Sequence, residues 1–375
     1  MTAPPGSPTD RALTADDWRA LFAVVPRELF LPGLVWQHDM ATGVSVAVDR
    51  DADPDGWLAA ARGNDPIVTQ WDDGDHHGPG PGTLPTSSAS MPSVVAAMLE
   101  AAALTPGIRV LEIGTGTGWT AGLMARRLGE HAVTSVEVDP EVARLAGASL
   151  HAAGLRPRLV VGDGLGGAPD GAPYDRLVST VGVRQLPSAW LGQVRAGGLI
   201  VTPWGTHYSN GDALAVLTVN EDGTASGRFA RPLEFMKVRS QRLAFPDFGP
   251  GLGPVADSET DDVPPDHGPR RPFTFAAGLL LPGVTHAVQP LESGGRTLWL
   301  YALDGTAWAS ATRAADATVT RVRQVGGRRL WDELAGAHAW WRAAGEPGST
   351  RFGITVGPDT FTPWLDSPDH RVPAG

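Results

Sequence analysis

At 375 residues and 39.3 kDa the chain is long enough for two domains, and with 42% apolar residues it can build a core. A formal charge of −11 and a pI of about 5.3 exclude a general nucleic-acid binder, which needs a basic face to displace counterions from phosphates. The absence of cysteine excludes disulfides, thiolate catalysis and Cys-ligated zinc or iron–sulfur centres.

Residues 1–10 are rich in Pro, Ser and Thr and are expected to form a disordered tail; they lack the basic-then-apolar pattern of a signal peptide. No apolar run reaches the ~18 residues of a membrane span, so the expectation is a cytoplasmic, monomeric protein with no membrane or nucleic-acid partner. Residues 12–25 predict a helix ended by Pro26, and 35–48 a hairpin. Residues 72–83, DDGDHHGPGPGT, are loop. Residues 90–104 predict a helix with Val94, Val95, Met98 and Leu99 on one face and Pro92 in its first turn. Strands at 109–113, 132–138, 157–161, 174–180 and 198–202 then alternate with helices at 120–128, 140–153 and 187–194. That alternation is the pattern of a parallel, doubly wound α/β sheet, which binds ligands at the carboxyl ends of its strands. A hairpin follows at 213–220 and 224–231. A Pro-rich linker is expected at 241–272, where 246–272 alone holds seven prolines. Beyond it, strands at 273–281, 298–303, 308–310, 317–325 and 352–356 and a helix at 329–343 predict an α+β unit over 273–375.

The chemistry is carried by Val110-Leu-Glu-Ile-Gly114-Thr-Gly116-Thr-Gly118, a strand feeding a glycine turn and then a helix. The candidate cofactor-binding residues are Glu112, Gly114, Thr115, Gly116, Thr117, Gly118, Glu137, Val138, Asp163 and Gly164. Glu112 stands where a dinucleotide enzyme has an apolar residue. Glu137, ending the next strand, can take two hydrogen bonds from ribose hydroxyls, and no base is present there to receive a 2′-phosphate. Asp163 can accept from an adenine amino group. An acidic lining for adenine, ribose and a cationic centre without phosphates points to S-adenosylmethionine, leaving S-adenosylhomocysteine as product.

These motifs, with Val25-Pro-Arg-Glu-Leu-Phe30, Tyr174-Asp175, Leu186-Pro187 and Gly197-Gly-Leu-Ile-Val-Thr-Pro203, resemble the ordered motifs of the protein-L-isoaspartate O-methyltransferases over residues 12–240. The resemblance implies a Rossmann-like class I S-adenosylmethionine-dependent methyltransferase, here over 11–240 and followed by the α+β extension. It implies methyl transfer to a peptide carboxylate. Aligned on Pro92, Ser90 takes the place of the family's active-site serine and Ser88 that of its threonine, so Ser90, Ser88 and Ser87 are the catalytic candidates. An ionised carboxylate needs orientation more than activation, and hydroxyls at a helix N-terminus can hold it; the competing reading is that one of them only caps the helix. Asp65, Gln70 and Asp72, with Ser88 and Ser90, are candidates for a peptide groove. The run from Pro85 to Ser90, the 64–73 segment and the C-terminal ending look like the branch that tailors graspetides, and similar enzymes accompany some lanthipeptides. That likeness implies a modified precursor peptide as partner and methylation of an aspartate side chain, followed by aspartimide and isoaspartate. The C-terminal unit would restrict the substrate. The protein-repair reading remains the alternative.

No metal is expected: Asp72, Asp73, Asp75, His76 and His77 sit in a Gly/Pro loop without helical spacing. Arg228, Arg231, Lys237, Arg239 and Arg242 are the densest basic run and a candidate receiver for an acidic peptide. The tail tryptophans Trp331, Trp340, Trp341 and Trp364 are expected in the core. Of the 30 basic residues only Lys237 is lysine, which fits a genome rich in G and C.

Overall fold

The computed structural model describes residues 12–248, 252–262, 265, 268 and 271–373; the tail expected at 1–10 lies outside them. Helix α1 (Ala15–Phe22) opens with a capping box in which Thr14 and Asp17 exchange side-chain and backbone hydrogen bonds. A four-stranded antiparallel sheet follows: β1 (Leu34–Asp39), β2 (Val44–Asp49), β3 (Ile67–Trp71) and β4 (Pro85–Ala89), in the order β2-β1-β3-β4. Helix α2 (Pro54–Arg62) covers it, with Trp57 packed against Val35 and Ile67. Strand β4 runs directly into α3 (Pro92–Ala101).

The centre is β5 (Val110–Ile113), α4 (Trp119–Leu128), β6 (Val133–Glu137), α5 (Pro140–Ala152), β7 (Arg158–Val161), β8 (Tyr174–Ser179), α6 (Ser188–Gln193) and β9 (Val194–Trp204). The strands are parallel in the order β9-β8-β5-β6-β7. Every residue of β5 and β6 is buried, including Glu112, Thr134, Ser135 and Glu137, so neither strand shows an inside–outside alternation. Winding reverses between β5 and β8, so their carboxyl ends diverge into a crevice. Strands β10 (Asp212–Val219) and β11 (Ala225–Leu233) extend the sheet antiparallel to β9.

A third sheet is formed by β12 (Ala256–Thr260), β13 (Val284–Pro290), β14 (Gly295–Ala302), β15 (Ala307–Ala314) and β16 (Thr320–Gly326), in the order β12-β16-β15-β14-β13. Helices α7 (Pro272–Leu280) and α8 (Leu330–Ala343) accompany it. The last strands, β17 (Phe352–Val356) and β18 (Phe361–Leu365), return to the central sheet beside β11 and bring it to nine strands.

Two expectations change. Residues 273–281 were expected as a strand but lie in helix α7: all eight residues from Phe273 to Leu280 are buried, so neither a period of two nor one of 3.6 shows in the sequence. The division into a 241–272 linker and a 273–375 unit does not divide the core. The linker supplies β12, and Leu298, Leu300, Ala309 and Val322 of the third sheet share one buried cluster with Trp204, Phe229 and Ile200 of the central sheet. Trp331 and Trp364 are buried, and Trp340 and Trp341 pack against that cluster, as expected for core.

Candidate active site

A cleft of about 220 Å3 lies at the carboxyl ends of β5, β6 and β8. Its floor is the glycine turn. Gly116 sits at φ 53° and Gly118 at φ 88°, a region that costs L side chains energy, and a Cβ on Gly116 would stand 3.5 Å from the Ser88 carbonyl. The turn therefore runs beside the serine strand, and it is the positive φ, not lack of space, that favours glycine at position 116. Glu137 is buried, and its carboxylate accepts from the Gly116 N–H at 2.8 Å and the Asp139 N–H at 3.1 Å. Each oxygen keeps a lone pair for a ligand hydroxyl. Val138 is an exposed apolar residue on the same rim, Asp163 is exposed with its carboxylate accepting from the Leu165 N–H, and both line the cleft with Gly164. Gly114, Thr115 and Thr117 also line it. The set suits a nucleoside: a carboxylate for ribose, an apolar edge for a base and an acceptor for an amino group. In that respect these residues fit S-adenosylmethionine.

Glu112 is placed differently from the expectation. It is fully buried and absent from the cleft lining. The Ser135 hydroxyl donates to its Oε2 at 2.5 Å and lies 2.6 Å from the Thr115 hydroxyl, while Oε1 has no partner. Burial pushes its carboxyl up to about 8. It acts on the turn from beneath, through Ser135 and Thr115.

The opposite wall is Thr86, Ser87, Ser88 and Ser90. The N-cap of α3 is Met91, with no side-chain cap, so neither Ser88 nor Ser90 serves as the cap. Both are half-buried and, among the described residues, make no side-chain hydrogen bond within the protein; Ser87 is buried and accepts from Thr69 at 3.2 Å. Arg27 holds this wall in place. Buried to 4% exposure, it donates to the carbonyls of Ala89 at 2.6 Å and Asp65 at 3.0 Å, and burial lowers its pKa to about 10. The motif containing Arg27 was legible, but this role was not.

Of the groove candidates, Gln70 comes nearest. It accepts from Thr86 at 2.9 Å and donates to Asp139 at 3.0 Å, bracing the wall from behind. Asp65 pairs with Gln37, and Asp72 folds back on the Thr83 and Leu84 N–H groups; neither lines the cleft. The third wall is the strap 236–242, pinned to Gly182 by two backbone hydrogen bonds of 2.7 and 2.9 Å. Arg239 binds Asp139 at 3.0 Å and Asp73 at 2.9 Å, and Arg242 grips Asp73 with two contacts of 2.7 and 2.9 Å. Asp139 also caps α5, and the pair Asp139-Pro140 was the sequence signal that could have found it. The basic run is thus split: Lys237, Arg239 and Arg242 line the cleft, whereas Arg228 lies over Trp364 and bonds the Asp366 carbonyl, and Arg231 is exposed. Among the described residues no group of three or more His, Asp or Glu could hold a metal ion, and no helix is long and apolar enough to cross a membrane.

Residues 83–242 match the family model described as Protein-L-isoaspartate(D-aspartate) O-methyltransferase. A protein-L-isoaspartate O-methyltransferase of Gloeobacter violaceus is 35% identical over 42% of this chain and 75% of its own length. The chain belongs to the protein-L-isoaspartate O-methyltransferase family. Other members similar to it are those of Pyrococcus horikoshii, 38% identical over 36% of this chain and 61% of theirs, and Thermotoga maritima, 36% identical over 37% and 42%. The chain thus spans only about two fifths to three fifths of the length of these two relatives. A solved protein-L-isoaspartate O-methyltransferase shares the fold at a TM-score of 0.51 and 21% identity, covering 92% of this chain and 98% of that one. The likeness of fold therefore extends beyond the family-model region into the C-terminal unit.

Proposed function

We propose that this protein is an S-adenosylmethionine-dependent O-methyltransferase acting on a carboxylate of a peptide. The observation that carries the reading is the meeting, in one cleft, of the Gly116–Glu137–Asp163 nucleoside lining and the unpaired hydroxyls of Ser88 and Ser90. The cofactor, when bound, supplies an electrophilic methyl group. Glu137 would hold its ribose and Asp163 its adenine amino group. Ser90 and Ser88 would orient the acceptor carboxylate, which is ionised at neutral pH and needs no base.

The finer reading is an aspartate side chain in a ribosomally made, macrocyclised peptide of graspetide type, with the ester closing to aspartimide and the product opening in part to isoaspartate. It is supported by the hydroxyl-rich run Thr86–Ser90 and by the acidic 72–75 loop clasped to the strap beside it. Isoaspartyl repair is the second reading, favoured by the identity to relatives of that name and by a fold likeness that includes the C-terminal unit. A lanthipeptide is the third substrate class.

The test offers enzyme and labelled cofactor to an isoaspartyl peptide and, separately, to the cyclised precursor, followed by mass spectrometry. One added methyl followed by loss of methanol, on the cyclised peptide only, supports the finer reading. Methylation of the generic isoaspartyl peptide supports repair, and transfer to neither refutes the proposal.

A further inference from the structure

The strap places one ion pair where an ordinary enzyme core would put apolar side chains. Asp212, at the start of β10, is 2% exposed, and the Lys237 side chain is 6% exposed. Their charged ends are in hydrogen-bond contact, and Lys237 also lines the cleft. Burial raises the carboxyl of Asp212 and lowers the ammonium of Lys237, with Arg184 and Glu234 the further charges acting on both. Desolvating such a pair commonly costs as much as the pairing returns, so it is weak evidence for stability.

The surrounding backbone is cut to fit it. A Cβ on Gly205 would stand 1.9 Å from Asp212 Oδ1, and a Cβ on Gly182 would stand 3.1 Å from Lys237 Nζ. Asp212 Oδ1 has no hydrogen-bond partner. The ammonium has three donors, of which one goes to Asp212 and one makes a long 3.4 Å contact with the Phe235 carbonyl. One donor is left without a partner among the described residues, on a residue that lines the cleft. Lys237 is also the only lysine among 30 basic residues. A compact ammonium, and not the wide guanidinium used everywhere else, stands here.

We propose that Lys237, held by Asp212, is the residue that receives the acceptor carboxylate, donating to the oxygen that does not attack. This rests on the carboxyl-methyltransferase reading above. In the transfer the other carboxylate oxygen forms a bond to the methyl carbon, the sulfur–methyl bond breaks, and its electron pair stays on sulfur; no proton moves. The carboxylate becomes a neutral ester, so an ion pair becomes a hydrogen bond from the ammonium to an uncharged carbonyl and the product is held less tightly than the substrate.

A single lysine allows a direct test. Protein grown with [13Cε]lysine gives one lysine signal. With S-adenosylhomocysteine present, an acceptor peptide should move that signal, and the same peptide with the carboxylate replaced by an amide should move it much less. A signal unmoved at saturating acceptor peptide overturns the assignment. The second measurement is kinetic. Lys237→Met combined with Asp212→Asn removes both charges together and so leaves no buried charge unpaired. The expected result is unchanged cofactor affinity, a KM for peptide raised about ten- to a hundredfold and a smaller change in kcat. A KM within about twofold of wild type overturns the assignment alone, whereas no transfer by the wild type overturns the parent reading and the assignment with it.

Discussion

Replacing Glu112 with Gln should change how stability depends on pH, in a direction set by the burial of its carboxyl. The carboxyl is fully buried, with one oxygen on Ser135 and the other without a partner, and burial raises its pKa from 4.5 to about 8. Its folded pKa lies above its unfolded one, so between pH 4.5 and 8 the folded state binds more protons. Stability from this group is therefore present below pH 4.5 and is lost as pH rises toward 8. At about 1.4 kcal/mol per pKa unit the full loss approaches 5 kcal/mol, with about 3 kcal/mol already gone at pH 7. Gln keeps the shape and an acceptor for Ser135 but carries no titration. The assay is urea unfolding of wild type and Glu112→Gln from pH 5 to 8. The variant should gain on the wild type by about 3 kcal/mol across that range, other groups cancelling in the difference. Parallel pH profiles would refute the buried, proton-binding carboxyl.

Glu137→Ala should weaken binding of S-adenosylhomocysteine by about ten- to a hundredfold, measured by calorimetry, because it removes the carboxylate for ribose and leaves the Gly116 N–H unpaired; affinity within twofold would exclude that role. Ser90→Ala should lower turnover about tenfold or more with cofactor affinity intact, and unchanged kcat at saturating peptide would remove the serine from the chemistry. Trp190, fully buried with its indole N–H donating to the Gly164 carbonyl at 2.8 Å, should cost about 3–5 kcal/mol when cut to Ala, read from unfolding curves. A loss below about 1 kcal/mol would mean that this side chain does not hold the Asp163–Gly164 turn.

The glycine turn, Glu137, Asp163 and the serine run were legible because their positions follow from local rules: strand, turn, helix, with an acid at the next strand end. What was not legible depends on partners distant in sequence. Glu112 looked like a ligand contact, yet its side chain turns beneath the sheet to Ser135, and no local pattern distinguishes the two faces of a strand buried on both sides. Arg239 and Arg242 read as a basic run; their partners Asp73 and Asp139 come from two other parts of the chain. Helix α7 was misread because uniform burial erases periodicity. Strand β17 was found by composition, but its place beside β11 was not.

That last placement bears on synthesis. The hydroxyls of Ser226 in β11 and Thr355 in β17 meet at 2.8 Å although 129 residues separate them. Until β17 leaves the ribosome, β11 is an open edge with unpaired N–H and C=O groups, and the cluster around Phe229 lacks Phe352 and Ile354. The nine-stranded sheet therefore cannot close until β17 has been made. A chain cut short before β17 would carry every residue of the cleft and still present a sticky strand, so nascent and truncated forms should be the ones that chaperones hold and that aggregate.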